Sequence, residues 1–325
     1  MNPLRRALLV STALLAVPAG SVFAQAAWPT KPIRLIVTFA PGGSSDVIAR
    51  LLQPGLQQKL GTPVLVENKP GAGSTIGANE VAKAPADGYT LLLSNTAPIS
   101  ISPFMMDKAP YDPVKSFTHI AYIGSVPNVF VVHPSVPART LPELVSWIKA
   151  QSKPVNYGSG GVGSIGHIVG EVFKQQYGLN MEHVPYKGSA PMHNDLLGGS
   201  LQFAVDTLTQ NVPFMKENKL IGIAVTSRAR SAMAPNLPSV VEVGAPKLIA
   251  DNFLGVAAPA GVPREVVEKV HKAVAELVAT PELQKRLLDL GVTPEPMSTA
   301  QFTDFVTRQV NEWAPAVKAS GARMN

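Results

Sequence analysis

The chain has 325 residues, 28 basic and 22 acidic side chains, a formal charge of +6 and no cysteine. Disulfides, thiolate metal sites and a lipid-modified cysteine are thereby excluded. The mild, scattered basic excess, with no Lys/Arg stripe interleaved with aromatics, argues against a nucleic-acid partner.

In chain order, Arg5 and Arg6 precede an apolar run from Ala7 to Val17 and small residues around Val22-Phe23-Ala24. This reads as a secretory signal peptide over residues 1–24, with cleavage after Ala24 or Ala26. The run is too short to cross a bilayer, which takes about 20 residues. Removing Arg5 and Arg6 leaves 26 basic residues against 22 acidic, a net +4. A freely diffusing periplasmic protein is expected. The remaining ~300 residues exceed the usual ~100–200 of one domain, so two lobes are expected.

A buried strand is predicted over Ile33 to Phe39, then a tight loop Pro41-Gly42-Gly43-Ser44-Ser45-Asp46 and a helix Val47 to Leu60 stopped by Gly61. A strand Val64 to Glu67, a glycine-rich loop Lys69 to Gly77, a helix through Lys83 and a strand Tyr89 to Ser94 follow. The pattern recurs with strand Val155 to Tyr157, loop Gly158 to Ser164, helix Ile165 to Tyr177 stopped by Gly178, and strand Met181 to Pro185. It closes with loop Tyr186 to Ser189, a helix through Leu197 and strand Gln202 to Val205. Loop glycine to stop glycine is 18 residues in one set (Gly43 to Gly61) and 17 in the other (Gly161 to Gly178). Alternating strands and helices predict an α/β fold in which each lobe is a mainly parallel sheet flanked by helices.

After Phe253 come helices Arg264 to Val278, Glu282 to Leu290 and Ser298 to about Ala319. The last opens on a Ser298/Gln301 capping box and carries Phe302, Phe305, Val306, Val310 and Trp313 on one face. These helices are expected to return to the first lobe. Residues 25–124 with 254–325 then form lobe 1 and residues 125–253 lobe 2, joined by a two-segment hinge near Gly124 and Gly255.

A glycine loop leading into a helix offers unpartnered backbone N–H groups and a positive dipole end, which bind anions. Ser44, Ser45 and Ser164 add hydroxyl donors. One such loop alone is an ordinary βα turn; matching loops in two lobes suggest a ligand between them. Gly161-Val162-Gly163-Ser164-Ile165-Gly166 matches G-x-G-x-x-G, the rival reading being a nicotinamide oxidoreductase. Against it, Glu182 opens the next strand instead of ending it, where a ribose-binding carboxylate belongs. No G-x-S-x-G surrounds Ser164 or Ser74, and the six histidines are dispersed with no H-E-x-x-H, so neither a serine hydrolase nor a metal site follows. His167 is either a ligand contact or a bond to its own helix end. Asp46 reads as loop scaffold, capping its helix start. Asp206, at a strand end, either meets a positive or hydroxyl-bearing part of a solute or caps the next helix. Lys187 is the one cation near these loops and is either a contact or merely solvated.

Trp28-Pro29-Thr30-Lys31-Pro32-Ile33, Phe39-Ala40-Pro41-Gly42-Gly43, Asp87-Gly88-Tyr89-Thr90-Leu91, Tyr157-Gly158-Ser159 with Gly163-Ser164 and His167, Pro185-Tyr186-Lys187-Gly188 and Asp195-Leu196-Leu197-Gly198-Gly199 together resemble the tripartite tricarboxylate transporter receptors, or Bug proteins. The resemblance runs from Trp28 to the C-terminal helices. It implies a two-lobed type II periplasmic-binding-protein fold, no enzymatic activity, and delivery of a small carboxylate solute to a two-component inner-membrane permease; a monomer without a cofactor is expected. It implies that the carboxylate sits between the glycine loops, at Phe39, Gly42, Gly43, Ser44, Ser45 and Asp46 on one side and Ser159, Gly160, Gly163, Ser164 and His167 on the other. Thr96, Asp206 and Thr207 would face the variable end. Ser100-Ile101-Ser102-Pro103 and Met192-His193-Asn194 depart from the family pattern, which leaves the solute open. A sensory receptor that presents the closed form to a signalling protein would need the same cleft, and the sequence does not separate it from a transport receptor.

Overall fold

The computed structural model describes residues 28–324; the expected signal peptide and both cleavage frames lie outside the described residues. The chain starts as βαβαβ: β1 (Ile33–Val37), α1 (Ser44–Leu60), β2 (Val64–Asn68), α2 (Thr75–Ala82) and β3 (Thr90–Asn95), with β1 parallel to both neighbours. Ile33, Leu35 and Val37 face Ile48, Leu52 and Leu56 of α1, while Ile36 and Leu92 face Ala78 and Val81 of α2. Both sheet faces are covered, which explains strands that read as unbroken apolar runs.

β4 (Phe117–Val132) then crosses the molecule, and α3 (Leu141–Lys149) starts on a reciprocal Thr140/Glu143 capping box. The second parallel set comprises β5 (Val155–Ser159), α4 (Ile165–Tyr177), β6 (Met181–Pro185), α5 (Ser189–Leu197) and β7 (Phe203–Thr207). Helix α6 (Leu208–Lys216) and β8 (Ile221–Val225) complete it. β9 (Asp251–Pro259) crosses back, followed by α7 (Arg264–Val278), α8 (Pro281–Asp289), the two-residue β10 (Thr293–Pro294) and α9 (Thr299–Ser320). The Ser298/Gln301 capping box is present.

The strands run in the order β2-β1-β3-β9-β4-β7-β5-β6, with β8 and β10 also pairing with β4. The outer strands of each half are parallel as expected, whereas β4 and β9 pair antiparallel with each other and with their neighbours. A strand that must leave one half and a strand that must return run in opposite directions, so the centre is antiparallel.

Two expectations are adjusted. Gly124 and Gly255 are not loose points. Gly124 pairs with Leu254 where a Cβ would strike the carbonyl of Thr293, and a Cβ on Gly255 would strike the Phe302 ring. The pairing partner of β4 changes from β9 to β7 and β8 just beyond Pro127, opposite Asp251. Nor does the C-terminal helix serve only the first half. Phe302 and Val306 of α9 pack with Tyr122 and Phe253, but Trp313 and Val317 join the core of Phe130, Ile168 and Phe203.

Candidate functional site

At the end of β1, Asp46 folds back on its own loop. Its carboxylate accepts hydrogen bonds from Gly42 N (2.9 Å), Asn68 Nδ2 (2.9 Å) and Arg50 Nε (3.0 Å), while Asn68 Nδ2 also donates to Phe39 O at 3.0 Å. Burial by itself would raise the Asp46 pKa; the hydrogen bonds from Arg50, Gly42 and Asn68 outweigh it and hold the carboxyl below its usual range. Asp46 is therefore scaffold and does not line the cavity. Its cage fixes Gly43, Ser44 and Ser45 at the start of α1, where the first N–H groups have no intrahelical partner.

The second loop is held by a parallel device. Ser164 caps α4, its Oγ accepting from His167 N at 3.2 Å and donating to Ser159 Oγ at 3.2 Å. Ser159 Oγ lies 2.7 Å from His183 Nε2, and Gly163 N donates to His167 Nδ1 at 3.3 Å. The rings of His167 and His183 stack at 3.9 Å between centroids. Burial pushes His167 down to about 4; burial and the neighbouring His167 push His183 down to about 3. Both are neutral near pH 7, and neutral Nδ1 of His167 is the acceptor that the Gly163 amide requires. In the structure His167 bonds the loop just ahead of its own helix and is not among the residues that line the cavity between the two loops.

The glycines of the G-x-G-x-x-G stretch have packing reasons. A Cβ on Gly161 would lie 2.7 Å from the carbonyl of Tyr186, and one on Gly166 would strike the carbonyl of Val205. Gly163 has φ +80° and abuts Ser102, Met105 and Met324 instead of open space.

Between the loops lies a cavity of about 140 Å³. Gly43 and Ser45 at the start of α1, Ser164 and Gly166 at that of α4, Gly188 and Ser189 at that of α5, and Thr207 and Gln210 at that of α6 all border it, so four helix starts converge. Among the described residues no Arg or Lys lines it, and Asp206 is its one charged residue. Asp206 lies within β7, one register earlier than its reading as a residue beyond the strand. It accepts from Ser189 Oγ at 2.7 Å and Asn211 Nδ2 at 3.0 Å, with His193 Nε2 at 3.3 Å.

Of the residues singled out from sequence, Phe39, Gly43, Ser44, Ser45, Gly160, Ser164, Asp206 and Thr207 border this cavity. Gly42, Asp46, Ser159, Gly163 and His167 stand behind it as loop supports. Thr96 is not at a variable end: it is fully buried, its Oγ1 donating to Asp251 O at 3.2 Å and accepting from Phe253 N at 3.0 Å. Lys187 is exposed and outside the lining. Sequence reading overlooked Asn128 on β4 and Asn252 on β9, which border the cavity. The available signal was an amide inside an otherwise apolar strand. Gln210 and Ser189 carried no signal of their own; only the convergence of α5 and α6 brings them in.

Two parallel sheet halves joined by antiparallel crossing strands, with a cavity where helix starts of both halves meet, define a periplasmic-binding-protein fold. The family model described as tripartite tricarboxylate transporter family receptor matches residues 48–322. The chain belongs to this family of solute-binding receptors, which bind and do not catalyse. It is similar to BugT of Bordetella pertussis, 32% identical over 318 residues that cover 98% of this chain and 96% of BugT. Among solved structures it resembles the periplasmic binding protein BugD (32% identity, TM-score 0.82, 92% of this chain and 100% of that one). It also resembles an R. palustris protein solved with adipate (31% identity, TM-score 0.83, 91% and 100%).

Proposed function

We propose that the mature chain is an exported receptor, freed of residues 1–24, that captures a small carboxylate solute in the cavity between the glycine loops and hands it to a two-component membrane permease. The carrying observation is the meeting of four helix starts on a cavity that no basic side chain among the described residues lines. Backbone amides can hold a carboxylate without an ion pair: hydrogen bonds to a charged group contribute roughly 1.5–3 kcal/mol each, and a helix end about 0.3–1 kcal/mol. Three or four such contacts support a micromolar complex, about −8 kcal/mol, after ordering costs. The adipate complex of the R. palustris relative supports the ligand class.

The buried carboxylate of Asp206 opposes a second anionic group at that end of the cavity. The proposed solute therefore carries its carboxylate toward Ser44, Ser45 and Ser164 and a hydroxyl or other donor toward Asp206. The proposed lobes are residues 25–124 with 254–325 and residues 125–253, bridged by β4 and β9.

A thermal-shift screen of carboxylates on refolded apo protein, adipate among them, tests the reading. A ligand at a hundredfold excess over Kd stabilises by about 2.7 kcal/mol. Gly43→Val is expected to abolish the shift of every carboxylate that carries no ammonium group. Gly43 borders the cavity, has an ordinary φ of −72° and a Cβ there meets only Ala40 O at 3.4 Å, so the variant is expected to fold with its added side chain taking up cavity space. Shifts of such carboxylates that survive Gly43→Val would place the carboxylate elsewhere.

A further inference from the structure

Neighbouring residues of a strand point to opposite faces, and β9 uses this at the crossing. Asn252 faces the cavity just described, whereas Asp251 lines a second and larger one, of about 600 Å³, on the opposite face of the β4/β9 ladder. On β4, Asn128 belongs to the first cavity and Ser125 to the second. The lining of the second cavity is mixed, and its apolar part, Tyr122 of β4, Val169 of α4, and Phe305 and Trp313 of α9, is drawn from both halves of the molecule.

Asp251 contributes a buried carboxylate to this lining. Its Oδ1 is buried and has no hydrogen-bond partner among the described residues. A buried carboxylate oxygen without a donor costs free energy and in a native fold calls for an explanation. Burial pushes its carboxyl up to about 7, with the Arg228 charge pulling the other way. Arg228, Lys247 and Arg308 stand exposed around the mouth with Glu295 and Glu312, three cations against two carboxylates. No salt bridge among the described residues uses any of the six charged side chains. The surface thus offers a buried acceptor, apolar side chains beside it, and a basic excess among its exposed charges.

We propose that this cavity behind the crossing strands is a second binding site, for a small zwitterion whose ammonium end reaches Asp251, whose hydrocarbon body lies against Tyr122 and Trp313, and whose carboxylate meets Arg228 and Arg308. Such a molecule supplies the missing donor to Oδ1 and leaves no charge unpaired, which neither a diacid nor a diamine of the same length does. The site does not depend on what the first cavity binds.

Three six-carbon probes that differ only in their ends test it by calorimetry: 6-aminohexanoate, adipate and 1,6-diaminohexane. They are titrated into Gly43→Val, which closes the first cavity, and into Gly43→Val carrying Asp251→Asn or Arg308→Ala. The expected result is that 6-aminohexanoate binds Gly43→Val at least tenfold more tightly than either symmetric probe, and that Asp251→Asn and Arg308→Ala each weaken it at least tenfold. Melting separates this from unfolding, since Asp251→Asn removes a buried carboxylate and should not lower Tm. Failure of 6-aminohexanoate to bind Gly43→Val, or binding that Asp251→Asn leaves intact, overturns the proposal. Residual adipate binding to Gly43→Val that is insensitive to Asp251→Asn and Arg308→Ala would instead count against the first cavity's assignment.

Discussion

Ser44, Ser45 and Ser164 border one cavity, yet their hydroxyls are in different states. That of Ser164 is engaged at both ends, by His167 N and Ser159 Oγ, whereas no hydrogen bond among the described residues uses the hydroxyls of Ser44 or Ser45. Ser45→Ala is therefore expected to weaken binding of the carboxylate found by thermal shift by about 1–2 kcal/mol while leaving the fold unchanged. Ser164→Ala also loses a helix cap, at about 1 kcal/mol of stability. Lys187→Ala, a change at an exposed side chain outside the lining, should stay within about 0.5 kcal/mol on both counts. Calorimetry and urea melts of the three variants check this; a Lys187→Ala loss larger than that of Ser45→Ala would contradict it.

The buried histidines predict a pH dependence at the same scale. His119 is pushed down to about 4 by burial, joining His167 near 4 and His183 near 3. In the unfolded chain each protonates near 6.5. The stability they supply is complete above about pH 6.5 and is lost as pH falls toward 4, on the order of 3 kcal/mol for a shift of this size. Asp251 acts in the opposite sense. Raised to about 7, it takes up a proton more readily folded than unfolded, so stability rises as pH falls through 7. Three histidines outweigh one aspartate, and Tm should decline between pH 6.5 and 4.5. Asp251→Asn should melt higher than the parent at pH 8 and fall more steeply over that interval. Scanning calorimetry decides; a parent Tm that is flat from pH 6.5 to 4.5 would refute the histidine assignment.

Among the elements, α9 carries the most tertiary information. Its capping box and its aromatic face are local features, but the face is divided between two cores. Phe302 and Phe305 make edge-on contacts with Tyr122 and Phe253, whereas Trp313 and Val317 pack into the other half. Phe302 is fully buried and fills the space above Gly255. Phe302→Ala should therefore cost about 3–5 kcal/mol, read as a lower urea midpoint. The box itself and the bounds of α4 and α7 were legible from sequence, since caps and stop glycines act within a few residues of the chain. The span of β4 was not. Its 16 residues hold Gly124, Pro127 and Asn128, each of which reads locally as a break, and only pairing with β9 on one side and β7 and β8 on the other keeps them extended.

Taken whole, the molecule places its change of strand partner at Pro127 and Asp251, between two cavities on opposite faces. If β4 and β9 form the hinge, closure on a solute draws the starts of α1 and α4 together. Small-angle scattering should then give a smaller radius of gyration on adding the carboxylate found by thermal shift, and no change in Gly43→Val. An equal radius in the parent with and without that ligand would mean that the lobes are fixed.

The sequence by itself determined the two βαβ sets, their glycine loops, the family and the candidate loop residues, because strand hydrophobicity, glycine φ requirements and helix caps are written over short stretches. Tertiary structure alone decided which of those residues meet. Asp46 and His167 turned inward to brace their loops, Thr96 was consumed by the crossing strands, and Asn128, Asn252, Ser189 and Gln210 reached the cavity from elements far apart in the chain. The unpartnered oxygen of Asp251 belongs to the same category. Whether a carboxylate finds a donor depends on the packing of β4, α4 and α9 around it, and that is a property of the assembled core which no local stretch of residues encodes.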